Sequence, residues 1–301
     1  MPQASRQSDA RIAISHCAVC ESIELAPVRT AAGLPVRACS ACGFQFASPQ
    51  PSDADLAAIY DRDYFFSHEK PREADHASTL KRATARHYLA LLAAVSAAPG
   101  RRLLEIGCGH GDFLVEAAAQ GYVITGLEYS PHACEVTRAR VGDAAEIVCG
   151  ELETWHSGDR EFDLVVLSDV IEHVRHPRAF LVRLHQLLAR GALVFIATPD
   201  LQSRSARMLR SHWMEYKAEH LSYFSRATLC RLLESTGYEV AARHPGYKTL
   251  SLAYVAGHFR RFPVRMVTPV LCTVARLLPV WLRERPFSVV ASGLIVIARR
   301  R

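Results

Sequence analysis

Leu103-Leu104-Glu105-Ile106-Gly107-Cys108-Gly109-His110-Gly111 decides how the rest of this chain is read. Two leucines, an acid and an isoleucine have the character of the end of a buried strand. Three glycines at alternate positions then let the backbone turn tightly, and Phe113, Leu114 and Ala117 follow at helical spacing. Strand, glycine loop and helix are the parts with which an open α/β sheet cradles a nucleotide. Residues without side chains admit a ligand close to the main chain. The dinucleotide fingerprint is G-x-G-x-x-G, with a pyrophosphate at the helix N-terminus. Here the spacing is G-x-G-x-G, and Glu105 stands just ahead of the first glycine. A carboxylate there repels a pyrophosphate and suits a cation. The plain alternative is a strand–helix turn that binds nothing.

The following segments continue the pattern. Tyr122 to Glu128 is an apolar run ending in an acid, and Glu128 falls about 20 residues after the first glycine, where a carboxylate can take both ribose hydroxyls. That spacing fits NAD as well, so by itself it indicates a nucleoside. Ser130 and Pro131 form a helix N-cap and first helical residue. Ile147-Val148-Cys149 is a third short strand, followed by Gly150-Glu151-Leu152-Glu153. Phe162 to Val174 contains a fourth strand and its exit loop. Gly191 to Thr198, ending in Pro199-Asp200, is the fifth; Gly237 to Val240 begins the next, and Ser288 to Ala298 is the last. Gly246 to Pro286 is then an insertion between those two strands, broken by Pro263, Pro269, Pro279 and Pro286.

The E-x-G-x-G-x-G stretch resembles the first motif of class I methyltransferases that use S-adenosylmethionine (SAM), whose sulfonium and ammonium suit a carboxylate and which carries no phosphate. Asp169-Val170-Ile171-Glu172-His173-Val174 resembles the matching segment of small-molecule methyltransferases of the ubiquinone-biosynthesis type. Glu219-His220-Leu221-Ser222-Tyr223-Phe224-Ser225 is similar to another phrase of that class. The resemblance covers about residues 101–240. It implies an α/β fold: a Rossmann-like seven-stranded mixed sheet with one extra antiparallel strand. It also implies that Glu105, Gly107, Gly109 and Gly111 hold SAM, that Glu128 takes the ribose, that Glu151 meets the adenine amino group, and that Ser168 and Asp169 border the cofactor. An acceptor must lose a proton, so a base is needed, and histidine suits that task near neutral pH. His173 and His220 are the candidates, with Tyr216 and Tyr64 behind them. A capping or packing role is the alternative for His173.

The N-terminal region has a different character. Cys17-x2-Cys20 and Cys39-x2-Cys42 are separated by 18 residues, the knuckle spacing of a four-cysteine zinc ribbon. Four thiolates close a tetrahedron, so such a zinc is structural. Buried thiols or two local disulfides are the alternatives. The knuckle tips carry Ala18, Val19, Ser40 and Ala41, with no basic residue, which argues against nucleic acid. Gly43 suits the second knuckle turn, and Val36, Arg37, Phe44 and Phe46 suit short hairpin strands. Cys108, Cys134, Cys149, Cys230 and Cys272 are scattered in apolar or helical contexts as small core residues.

The division expected is 1–10 disordered, 11–50 zinc ribbon, 51–100 helical lead-in and 101–301 catalytic domain, with its insertion at 246–286. Leu56, Ile59 and Tyr60 mark a short helix, and Tyr60 to Phe66 resembles an aromatic segment of small-molecule methyltransferases with an N-terminal cysteine module, which implies a place lining the cofactor and acceptor entrance; plain packing of the lead-in against the core is the alternative. His76 to Ser96 is a long helix with Leu80, Ala83, His87, Leu91 and Val95 on one stripe. Half of the 301 residues are hydrophobic, enough for a sizeable core, and a net charge of +6 without a long basic run does not call for nucleic acid. No charged start with an apolar core opens the chain, and no apolar run reaches membrane-span length. A cytoplasmic protein with reduced cysteines is expected. The acceptor is a small molecule, a sugar or a lipid-linked group, methylated at O, N or C; the oligomeric state is open. Residues 250–286 suit a peripheral membrane contact, a substrate lid or a dimer face. Two rivals remain: an NAD-dependent oxidoreductase, and a non-catalytic adapter that senses SAM.

Overall fold

The structure is a computed structural model that describes residues 11–59, 71–95, 100–261 and 267–301. The stretch 1–10 and the Tyr60–Phe66 segment, with Tyr64, lie outside the described residues. The chain begins with strands β1 (Leu25–Ala31), β2 (Leu34–Cys39) and β3 (Gln45–Ala47), then helices α1 (Asp53–Ile59) and α2 (Pro71–Val95). Alternating strands and helices follow: β4 (Arg102–Ile106), α3 (Asp112–Ala119), β5 (Val123–Glu128), α4 (Pro131–Val141), β6 (Ala145–Cys149), β7 (Phe162–Ser168), α5 (Pro177–Gln186) and β8 (Leu188–Pro199). The remainder is α6 (Arg204–Leu209), β9 (Ser222–Tyr223), α7 (Arg226–Ser235), β10 (Tyr238–Leu250), α8 (Leu252–Arg261), α9 (Val267–Leu277), α10 (Val280–Arg283) and β11 (Phe287–Arg300).

Seven strands form one mixed sheet in the order β10-β11-β8-β7-β4-β5-β6. β4 to β8 run parallel, and β11 runs antiparallel to both its neighbours. Strands covered on both faces are apolar at consecutive positions. Leu104, Ile106, Val165 and Leu167 point into one core, while Leu103, Leu164 and Val166 point into the other. The chain leaves β4 toward β5 and β6 on one side, then returns to β7 and β8 on the other. The crevice beyond the C-terminal ends of β4 and β7 is therefore the switch point, where open α/β sheets bind ligands.

Three expectations need correction. The buried face of α2 is Ala77, Leu80, Ala85, Tyr88, Leu89 and Leu92. The helix packs on both α3 and β10, so its inward face is rotated away from Ala83, His87, Leu91 and Val95, which are half-buried. β10 runs on through Gly246 to Leu250, pairing Tyr247–Leu250 with Phe287–Val290 beyond a bulge. The helical excursion is thus 251–286, and the tip of this hairpin projects past the end of β8, whose last residue, Pro199, pairs with Gly293. Among the scattered cysteines, Cys149 is exposed rather than a core residue.

The N-terminal region folds back on itself, with Ile12 and Gln50 exchanging backbone hydrogen bonds of 2.9 and 2.8 Å. It is not a separate body. β3 pairs with β9, so the small sheet has the order β1-β2-β3-β9. The Phe44 ring packs tilted against Phe224, centroids 5.1 Å apart, and Arg178 of α5 donates to the carbonyls of Ala18 and Val19 at 3.1 and 2.7 Å. Val19, Phe44 and Phe46 belong to the same buried cluster as Leu104 and Val165.

Candidate active site

One end of the crevice is built mostly from backbone. After Ile106 the chain turns through Gly107, Gly109 and Gly111, all at positive φ. A Cβ on Gly107 would lie 2.6 Å from Val170 Cγ2, so only glycine lets this loop meet the exit loop of β7. A Cβ on Gly109 would meet open space, the room a ligand needs. Thr137 of α4 ties the loop by donating to the Gly109 carbonyl at 2.6 Å. Glu128, at the end of β5, accepts from Gly109 N–H at 2.8 Å and from Ser130 N–H at 3.0 Å. Burial pushes its carboxyl above the ordinary range, and those donors pull against that shift.

Glu105 is buried in β4, and its Oε2 has no hydrogen-bond partner. Burial, then the neighbouring Asp112 and Glu128, push its carboxyl well above the usual value. Asp112, at the start of α3, accepts from Ser78 at 2.5 Å and from Arg140 at 2.8 Å, which pins the loop to α2 and α4. Glu151 follows β6 on the exposed rim. Burial of part of its carboxyl, then Glu153 and Asp53 of α1, push it up.

The other end is built from side chains. Ser168 closes β7 half-buried beside Tyr88 of α2. Asp169 adopts a left-handed backbone, φ 55°, which turns the chain sharply out of the sheet. Its carboxylate pairs with Lys248 Nζ at 3.0 Å. Burial works against the charge, but Lys248 holds Asp169 below the ordinary carboxylate range. Asp169 in turn holds the ammonium charged against its own desolvation.

Glu172 is buried; Oε2 accepts from Thr198 of β8 at 2.9 Å, and Oε1 has no partner. Burial and then the Asp169 charge push Glu172 up to about 8. His173 Nδ1 lies 3.1 Å from the Glu219 carbonyl and donates to it, which leaves Nε2 as the acceptor. Burial, then Lys217, lower His173 to about 4. The His220 ring meets His173 edge-on, centroids 4.7 Å apart, and its Nδ1 is buried without a partner. Burial, then His173 and Lys217, lower it well below the ordinary value. Glu172, His173 and His220 each bring one ligand-capable atom within 4.8 Å of the others. Such a set can share a proton, and it also suits a divalent cation.

The structure thus gathers Glu105, Gly107, Gly109, Gly111 and Glu128 around one loop, and Ser168, Asp169, His173 and His220 around the neighbouring exit loop. Tyr216 stands apart, edge-on to Trp213 and Tyr223 in a packed aromatic cluster with Val36 of β2.

Cys17, Cys20, Cys39 and Cys42 converge. Cys17 and Cys42 Sγ are 3.5 Å apart, Cys20 and Cys39 Sγ 3.4 Å, and all four lie within 4.8 Å of one another. These separations are too long for a disulfide of about 2.05 Å. They fit a zinc tetrahedron, whose sulfurs sit about 3.8 Å apart when each Zn–S bond is about 2.3 Å. The two knuckles turn alike: Glu21 N–H reaches the Cys17 carbonyl at 2.8 Å, and Gly43 N–H reaches that of Cys39 at 2.9 Å.

A methyltransferase domain family matches residues 76–243, more than half of the chain. The chain belongs to that methyltransferase family. It is 33% identical over 105 residues to the ubiquinone biosynthesis O-methyltransferase of Aromatoleum aromaticum, covering 33% of this methyltransferase and 44% of the relative. The enzyme of the same name from Vibrio atlanticus is 24% identical over 148 residues, 46% of this chain and 62% of the relative. The chain spans about half the length of the curated relatives it matches. The magnesium protoporphyrin IX methyltransferase of Synechocystis PCC 6803 with bound SAH superposes with a TM-score of 0.55 at 14% identity, over 83% of this chain and all of that one. The fold is that of the class I SAM-dependent methyltransferases.

Three residues of the site carried no assignment in the sequence. Glu172 stood inside the D-V-I-E-H-V phrase, and its run of apolar neighbours was the available sign of burial. Thr198 read as the end of a strand. Lys248 fell in the presumed insertion, and nothing local signals that the hairpin carries it back to Asp169.

Proposed function

We propose that the protein methylates a hydroxyl of a small-molecule acceptor, using SAM. The observation that carries this reading is Glu105: a buried carboxyl with an unpartnered oxygen, facing a glycine loop whose other carboxylate, Glu128, is braced by two backbone N–H groups. A pyrophosphate is repelled there, whereas a cation restores charge balance. The curated relatives named for ubiquinone-biosynthesis O-methylation favour oxygen as the methylated atom.

When bound, SAM supplies a methyl group on a sulfonium that is its own leaving group. The chain's part is alignment, exclusion of water and removal of the acceptor proton. Glu128 takes the ribose hydroxyls, Glu105 faces the ammonium, Glu151 stands at the adenine end, and Ser168 and Asp169 border the reacting side. His173 or His220 accepts the hydroxyl proton, both rings being held neutral by burial. His173 presents Nε2 for this, because Nδ1 is committed to Glu219. Asp169 is the carboxylate whose charge favours an imidazolium formed at His173, and Glu172 stands within 4.8 Å of both rings.

Isothermal calorimetry with SAM and with NAD tests the reading. SAM binds the protein, NAD does not, and Glu128→Ala weakens SAM. NAD binding with SAM ignored would overturn it. Titration in buffers of different ionisation enthalpy adds a second check: a cation beside Glu105 favours its ionised form, so SAM binding releases a proton. The reading extends to zinc in the Cys17, Cys20, Cys39 and Cys42 cluster, as a structural ion with no open position. About one zinc per chain by elemental analysis supports it, and none under metal-preserving conditions refutes it.

A further inference from the structure

The excursion 251–286 ends in an apolar face that none of the described residues covers. α8 and α9 pack on each other through small groups: Ala256 and Ala275 are buried, and Cys272 Sγ lies 3.8 Å from the Ala256 carbonyl. The opposite side of α9 carries Val267, Val270, Val274 and Leu277, spaced by three, four and three residues, which places them on one stripe. Val270 is 64% exposed and Leu277 80%, and Trp281 of α10, just beyond, is 71% exposed. Apolar side chains at helical spacing ordinarily face inward. Here they face outward, with an indole at the end of the row.

The charge of the chain is concentrated in the same place. Residues 251–286 hold six arginines against a single glutamate, and so five of the six net positive charges of the chain. Arg260, Arg276 and Arg285 are exposed. Apolar residues and an interfacial Trp beside arginines match the layer where lipid headgroups meet acyl chains. A second copy of the chain is a poorer occupant, because a two-fold contact sets this arginine-rich face against itself. No helix among the described residues is long and apolar enough to cross a membrane.

We propose that the Val267–Leu277 stripe with Trp281 docks on an anionic lipid bilayer surface, lying in the headgroup layer without spanning it. The location gives the contact a consequence. The excursion grows from the hairpin tip Tyr247–Leu250 with Phe287–Val290, at the C-terminal edge of the parallel strands. Lys248 on that hairpin reaches Asp169, and Ser251 at its end meets His76 of α2 at 2.7 Å. Docking therefore brings the ligand edge of the sheet to the lipid surface.

Co-sedimentation of the full chain with vesicles tests this, using phosphatidylcholine alone and phosphatidylcholine with about one third phosphatidylglycerol. The protein sediments with the anionic vesicles, and the bound fraction falls as salt rises. Leu277→Glu with Trp281→Glu lowers partitioning roughly tenfold or more; both positions are exposed, so the fold is kept. In a second measurement, indole emission shifts to the blue on anionic vesicles, and Trp281→Phe abolishes the shift, since Trp213 is buried and Trp155 packs on Phe162, away from this face. Absence of binding to anionic vesicles, or equal partitioning of the double variant, overturns the proposal. A concentration-dependent dimer lost in that variant, with no vesicle binding, assigns the face to a second copy instead.

Discussion

The two ends of the crevice are made of different material. At the end we propose for the nucleoside, the site is mostly backbone or backbone-braced: a glycine loop, one carboxylate held by Gly109 and Ser130 N–H groups, and a threonine tie from the next helix. All lie between residues 105 and 137. At the end we propose for the acceptor, the atoms belong to side chains drawn from the β7 exit loop, the end of β8, the segment before β9 and the β10 hairpin. The β9 segment is itself a strand of the cysteine-bearing sheet. A backbone-built site tolerates distant change, whereas an assembled one depends on every body that holds it.

The cysteine cluster gives that contrast its sharpest test. His220 is two residues from the Ser222–Phe46 pair, and the Leu221 carbonyl accepts from Ala47 N–H at 3.0 Å. Removing the proposed zinc with a chelator, or Cys39→Ala with Cys42→Ala, is expected to lower turnover by more than about tenfold and to cost several kcal/mol of stability, because metal binding is folding free energy. SAM affinity in the fraction that stays folded is expected to change little. Loss of both functions in parallel would mean that the two ends are one unit.

The histidines test the acceptor end without disturbing the cysteine module. His173→Ala with His220→Ala is expected to reduce turnover by roughly 10²–10⁴, the range for removing a general base, while SAM affinity by calorimetry stays within about twofold. Normal turnover in the double variant would leave both rings as packing residues. The mirror-image test is Glu128→Ala, expected to weaken SAM by about 1–3 kcal/mol, the cost of stranding ribose hydroxyls in a dry pocket. It should leave turnover at saturating SAM much closer to wild type than the histidine variant does.

The same contrast explains what could be read in advance. The sheet, and the gathering of Glu105, the glycine loop and Glu128 at one place, were legible because each signal is local: strand, glycine spacing, terminal acid, all within one βαβ unit. Gly107 needs its positive φ and its missing Cβ whatever the rest of the chain does. Lys248 was not legible, because its role depends on a hairpin extended by a bulge at Pro245–Tyr247. The stripe of α2 was misjudged because a helix packed on two neighbours buries a face that a single apolar period does not fix. Tyr216 was misjudged because an aromatic in a polar segment reads as chemistry when it is packing. The cysteine spacing was legible, but β9, which ties the module to the acceptor segment, is two residues long and gives no pattern.

The smallest effect concerns Glu172, and it separates the two ends by pH. Its folded value of about 8 lies above the ordinary 4.5. A group raised in this way contributes stability that is fully present below the unfolded value. That contribution is lost as pH rises through the folded one. Between about pH 4.5 and 8 the protein is therefore expected to lose stability through this site, by at most about 1.4 kcal/mol per pH unit. Glu172→Gln keeps the neutral hydrogen-bonding shape and cannot ionise, so its melting temperature should fall less over the same range, and the two curves should converge toward the acid side. Parallel curves would mean that Glu172 is not held protonated. Measured with SAM present, the gap should persist, because what raises Glu172 is its burial and then the Asp169 charge, neither of which belongs to the glycine loop.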